Sequence, residues 1–326
     1  IVTPILWSIF GFNEFGFLKF INFIVITIPI SIIVLECLSF HEIKNLFIIL
    51  LALVFVLCFF AITGIFETPR PDGRISILGG GPITFARWMG YGVIALYFLP
   101  IKKTYFLRFS FIILFLIYCL VSGSRGPFTI LLLIFMLYFF LNFRKIFLRF
   151  SILFSIIITV FLFSNISKDI SELGRTDRVF LNVAKKGGSN QSTQTRYELA
   201  QRSLNLIKSY PFGIGAGNWQ KIANLYDSTH LMAHEYPHNL IFEITNEYGV
   251  FAGILFLLFI LHVSYSAYAK MKNNTHVNSL YPFLFYLWIF LLLNAMLSGS
   301  LDDSRLLFIT SCSILVNSPL TLKEDE

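Results

Sequence analysis

Residues 46–64 read LFIILLALVFVLCFFAITG and carry no charged side chain. At about 1.5 Å per residue, a helix over this run is about 28 Å long, close to the hydrocarbon thickness of about 30 Å in a bilayer. Lipid offers no water to a backbone N–H or C=O, and a helix satisfies these groups within the run itself. Apolar runs recur along the chain, and we place spans near 1–11, 17–38, 46–64, 83–100, 106–122, 126–141, 149–165, 247–268, 280–297 and 305–319. The expected fold is all-α: a polytopic integral membrane protein of about ten transmembrane helices. Span 1–11 is short enough to be the tail of a helix, and 126–141 short enough to begin in a dip of the membrane surface.

Charge supports this reading. Only 13% of residues are charged and 56% are hydrophobic, whereas soluble domains carry about 25% charge. A single soluble core is excluded. The formal charge of +7 does not point to nucleic acid, because the basic residues sit in short loops between apolar runs, where they set orientation. Cys37, Cys58, Cys119 and Cys312 lie in or beside apolar runs without metal-ligand spacing, and are read as small apolar side chains. No secretory leader is recognisable at Ile1, and we expect the natural chain to begin upstream.

The segments 101–108 (IKKTYFLR), 142–149 (NFRKIFLR) and 269–274 (AKMKNN) are basic and free of acids, which places them in the cytoplasm. Alternation then sends 65–82, 122–125, 166–246 and 298–304 to the other side. Three regions follow: N-terminal transmembrane helices (1–165), a large extracytoplasmic loop (166–246) and C-terminal transmembrane helices (247–326). Within the loop, the Gly-Gly-Ser-Asn-Gln-Ser run reads as a linker or flap. The stretch 195–210 reads as an amphipathic helix through Tyr197, Ala200, Leu204 and Ile207.

Ionisable residues gather where they are least expected. HEYPHNLIFEITNEYG, residues 234–249, holds two histidines and three glutamates just before an apolar run. With a helix from about 238, Asn239, Glu243, Asn246 and Glu247 form one polar stripe, which must face protein or water rather than lipid. It is either a helix cap with an interfacial collar, or His238 acting as a base with carboxylates beside it. GSRGPF (123–128) sets Arg125 in a tight turn, as an anchor or as an anion ligand. Arg87 stands about one turn inside a span, where it either snorkels or meets substrate. Arg196, Glu198 and Arg202 line one face of the loop helix, which a solvated surface also explains. PFGIGAGNW (211–219) has three alternate glycines; it is no dinucleotide or P-loop fingerprint and reads as a helix stop with a tight turn. The topology puts Arg74, Arg125, Arg196, His238, Glu243 and Asp302 on one side. Arginines converging at a membrane face suit a pyrophosphate, and no Asp-x-Asp metal set accompanies them.

SRG after a span, Arg196 at the head of the loop helix, PFGIGAGNW and PHNLIFEITNEYGVFAG (237–253) together resemble the O-antigen ligase-like family, over roughly residues 70–300. The family includes lipopolysaccharide O-antigen ligases and O-antigen or exopolysaccharide polymerases. The resemblance implies a metal-independent membrane glycosyltransferase without a cofactor. It would work at the periplasmic face of the bacterial inner (plasma) membrane, taking a glycan from undecaprenyl pyrophosphate. Ligases deliver it to lipid A-core; polymerases deliver it to another lipid-linked repeat. The partners implied are the lipid-linked glycan, that glycan or lipid A-core acceptor, the bilayer and other polysaccharide-assembly proteins, but no nucleic acid. By motif, His238, Arg125 and Arg196 take catalytic roles. Arg74, Arg87, Glu243, Glu247 and Asp302 are assigned to substrate binding, Arg74 and Asp302 as looser matches. The family carries about twelve spans, two more than we count here. Two rival readings are a polysaccharide transporter or flippase, which predicts two related halves that are not visible, and a non-catalytic assembly scaffold.

Overall fold

The computed structural model describes residues 2–68, 74–101, 105–142, 188–224, 236–274 and 279–316. These are helical, apart from turns and one isolated antiparallel bridge between Glu67 and Ile77. In chain order the helices are α1 (Val2–Phe10), α2 (Glu14–Asn22), α3 (Ile28–Glu36), α4 (Phe40–Thr63), α5 (Pro82–Phe98), α6 (Tyr105–Val121), α7 (Arg125–Asn142), α8 (Gly188–Ser209), α9 (Trp219–Ala223), α10 (Leu240–Tyr248), α11 (Val250–Asn273), α12 (Tyr281–Ser298) and α13 (Arg305–Leu315).

Among the described residues, five helical stretches are long and apolar enough to cross a membrane: Glu14–Glu36, Phe40–Thr63, Arg125–Asn142, Val250–Asn273 and Tyr281–Ser298. The first contains a π-helical turn, Phe23–Thr27, between α2 and α3. Pro29 accounts for it: without an N–H it cannot bond back one turn, so the ladder steps to a wider spacing, Ile28 N–H to Phe23 O. One expectation is corrected: with 11 residues, α13 falls short of the roughly 17 needed to cross. At the end of α13, Lys270 Nζ donates to the carbonyls of Ile314 (2.7 Å) and Val316 (2.8 Å), which closes the helix. The expected span 149–165 lies outside the described residues, as does loop segment 166–187.

The chain forms two compact units: Ile1–Ile43 with Ser192–Glu326, and Lys44–Gln191. In the first, α12 is the most enclosed of the membrane-length helices, with Phe283, Leu284, Tyr286, Leu287, Trp288 and Phe290 all buried. Trp288 Nε1 donates to Ser311 Oγ on α13 (2.9 Å), so the one polar atom of a buried indole is satisfied. On α11, Leu255, Leu258 and Leu261 remain exposed, a surface that lipid accepts and water does not. In the second unit α5 is the core helix. A side chain on Gly92 would meet Phe115 of α6 at 2.7 Å and Val54 of α4 at 2.9 Å, so three helices close on the bare glycine backbone. Beside it the buried Tyr91 hydroxyl donates to Phe47 O at 2.7 Å.

Candidate functional site

In the Lys44–Gln191 unit the chain turns tightly between α6 and α7. Gly123 N–H donates to Leu120 O (2.9 Å), and Ser124 N–H donates to the Ser122 hydroxyl (3.2 Å). Gly123 has φ +72°, a left-handed conformation suited to glycine. The stem of Arg74 lies against this glycine: a Cβ there would touch Arg74 Cγ and Cδ at 3.4 Å. Arg125 opens α7 two residues on, and the charge of Arg74 acts on it. The structure thus brings Arg74 and Arg125 together. Arg87 lies on α5 in the same unit, half-buried.

In the other unit the segment 236–249 is organised by Asn239. Its side chain accepts from the N–H groups of Ile241 (3.0 Å) and Phe242 (3.1 Å), capping α10, and its Nδ2 donates to Met296 O (3.0 Å). The helix therefore starts at Leu240, later than expected, because an Asn side chain caps better than Pro237 or His238. His238 sits just outside it at φ +55°, a conformation uncommon for a non-glycine residue. Its ring packs on Tyr236 with centroids 4.3 Å apart, and the Tyr236 hydroxyl donates to Ser298 O (3.2 Å). The helix stops at Gly249 (φ +93°), so α10 and α11 are separate helices.

The polar stripe of α10 faces protein, as lipid exclusion demands: Glu243 is 0% and Glu247 2% exposed. Sequence reasoning missed the group that makes this tolerable. Lys19 of α2, 3% exposed, forms ion pairs with both carboxylates, 2.7 Å to Glu247 Oε2. The remaining oxygens accept from backbone: Glu243 Oε2 from Leu301 N–H (2.9 Å) and Glu247 Oε1 from Gly217 N–H (3.0 Å). Burial pushes the Glu243 carboxyl up to about 7, against the pull of Lys19 and with the help of the Glu247 charge. A signal for Lys19 was present: a lone cation inside an apolar span calls for an acidic partner.

The alternating glycines do more than end a helix. Gly213, Gly215 and Gly217 all have positive φ, and the turn is held from two directions. Towards the first helices, Trp7 Nε1 donates to Ala216 O (3.0 Å) and Asn13 Nδ2 to Gly217 O (2.9 Å). Towards α10, Ile214 N–H donates to Asn246 O (2.9 Å) and Gly215 N–H to Glu247 O (3.0 Å). Gly217 and Gly16 meet backbone to backbone with no room for a side chain on either.

The loop helix departs from expectation. α8 begins at Gly188, taking in most of the run read as a linker. Its inward face is Leu199, Arg202, Ser203 and Leu206, which meets Trp219 and Ile222. Tyr197 and Leu204, expected as the apolar face, are exposed. The rotation follows from Ser203, whose hydroxyl receives Trp219 Nε1 (3.2 Å). Arg196 is exposed on this helix and Arg202 is 7% exposed, so the three charges do not share one solvated face. Asp302 begins a short 3-10 turn and pairs with Arg305 at 3.1 Å. A cavity of about 220 Å³ in this unit is lined in part by Lys19, Tyr236, Glu243, Glu247 and Asp302. Among the described residues, no three His, Cys, Asp or Glu side chains gather as a metal-holding group.

No curated protein and no solved structure matches the chain. A family model does, over residues 109–257, a stretch that includes Arg125, Arg196, His238, Glu243 and Glu247 but not Arg74, Arg87 or Asp302. That model is described as O-antigen ligase, so residues 109–257 are similar to the O-antigen ligase family, in a chain whose described part includes five helical stretches long and apolar enough to cross a membrane.

Proposed function

We propose that the protein is a membrane glycosyltransferase of the O-antigen ligase or polymerase type, working without a metal at the periplasmic face of the inner membrane. It moves a glycan from undecaprenyl pyrophosphate to a sugar hydroxyl. The observation that carries this reading is the meeting of Arg74 and Arg125 over Gly123. Guanidinium groups hold pyrophosphate oxygens through forked donor pairs, and two of them at one turn suit that ligand. Arg196 and Arg87 add to the donor's binding.

The acceptor hydroxyl oxygen forms a bond to the anomeric carbon, in line, with inversion. The bond from that carbon to the pyrophosphate oxygen breaks, and undecaprenyl pyrophosphate leaves with the electron pair. His238 takes the hydroxyl proton. Arg74 and Arg125 stabilise the charge as it grows on the leaving oxygen. The test is transfer by the purified protein from a defined lipid-linked glycan, with and without a chelator. We expect transfer that the chelator leaves intact and that His238→Ala abolishes. Full transfer by that variant removes His238 from the mechanism, and loss with the chelator replaces arginine with metal chemistry.

A further inference from the structure

Resting on the transfer reading above, we propose that the cavity of about 220 Å³ in the unit Ile1–Ile43 with Ser192–Glu326 seats one uncharged sugar ring of the acceptor and rejects phosphate. Three observations carry this. The first is size. The volume lies below the roughly 300 Å³ at which pockets begin to enclose drug-sized ligands; it suits a single hexose-sized ring, not a lipid chain.

The second is charge. Lys19 is the one cation among the described lining residues, and its ammonium is already committed to Glu243 and Glu247. Asp302 adds a third carboxylate to the wall, paired with Arg305 at 3.1 Å, so three carboxylates stand against two cations that are both already committed. A phosphate would meet an acidic surface with no unspent positive charge to receive it. A neutral polyol meets acceptors for its hydroxyl protons, and Gln220 and Ser300 on the same wall supply both donors and acceptors.

The third is shape chemistry. Trp219, Tyr236 and Phe15 line the same space. The C–H faces of a pyranose are apolar and slightly positive, which complements the negative face of an aromatic ring. Tyr236 also carries the ring of His238 against its own, so a sugar seated here lies next to the group proposed to take its proton.

The experiment uses the full chain in nanodiscs and measures saturation-transfer NMR with three neutral disaccharides, chitobiose, lactose and maltose, and with glucose 1-phosphate. We expect saturable binding of at least one neutral disaccharide, weakened about tenfold by Gln220→Ala and by Asp302→Asn, unchanged by Arg125→Ala and not displaced by glucose 1-phosphate. Helix content by circular dichroism confirms that the variants are folded. No binding of any neutral disaccharide, binding indifferent to both cavity substitutions, or displacement by glucose 1-phosphate overturns the proposal. Undecaprenyl pyrophosphate binding in the same nanodiscs reports separately on the transfer reading. Its absence beside intact disaccharide binding sinks that reading and leaves this site standing.

Discussion

Lys19 and Glu247 lie 228 positions apart in the chain and are joined by a buried 2.7 Å charge-assisted hydrogen bond. With Glu243 they make a cluster of one ammonium and two carboxylates on which three backbone segments converge, α2, the Gly217 turn and the Leu301 turn. Removing one member of such a cluster leaves its partners charged in a dry place. Lys19→Met is therefore expected to destabilise the protein by about 3–5 kcal/mol. The triple variant Lys19→Met/Glu243→Gln/Glu247→Gln should recover most of that loss. Thermal unfolding in detergent decides between these outcomes.

The same cluster gives stability a pH dependence. The folded Glu243 carboxyl titrates at about 7, above its ordinary value, because burial disfavours its charge. The folded state therefore holds more protons than the unfolded chain between about pH 4.5 and 7. This contribution is fully present below the unfolded value and is lost as pH rises through 7. Melting temperatures at pH 5, 6, 7 and 8 should fall along this series, and Glu243→Gln should flatten the decline.

Arg125→Lys tests whether the guanidinium fork matters rather than its charge alone. Lysine retains the charge but not the two-pronged donor geometry. We expect transfer to fall by about 10²–10³-fold, as when one donor to a developing oxyanion is removed, with the melting temperature unchanged. Arg74→Ala should give a loss of similar direction.

His238 holds a backbone conformation that asparagine also tolerates. His238→Asn should therefore fold normally while losing about 10²–10⁴-fold in transfer, the usual contribution of a positioned base. A variant that retained activity would show that the position serves the backbone and not the chemistry.

Gly217→Ala adds a methyl group where Gly16 leaves no space, at a φ that alanine resists. The expected loss of stability exceeds about 1 kcal/mol. Comparison with Gly79→Ala separates the two causes, since Gly79 shares a positive φ but has no described neighbour within 4 Å of the added carbon.

Much of the architecture is legible from hydropathy, because lipid imposes helices and sets their length. Helices occupy the described expected spans within a few residues, and the Asn239, Glu243, Asn246, Glu247 stripe turns inward as its polarity requires. Periodicity served α8 less well: it carries apolar residues on two faces, and only the Trp219–Ser203 bond shows which one packs. The Lys19 cluster and the Gly217–Gly16 contact join residues about 200 or more positions apart. Such pairings leave no local pattern, so the glycine turn reads as a stop signal until its partner is seen. Arg125 and His238 were visible as oddities in place, whereas the nearness of Arg74 to Arg125 depends on a loop returning over the Gly123 turn.

The separation between Lys19 and its carboxylates also bears on biogenesis. Ribosomes deliver α2 to the insertion machinery more than two hundred residues before Glu243 and Glu247 are synthesised. This helix thus enters lipid with an unneutralised ammonium. It can lock only when the late segment arrives, so α2 settles into its unit long after it is made.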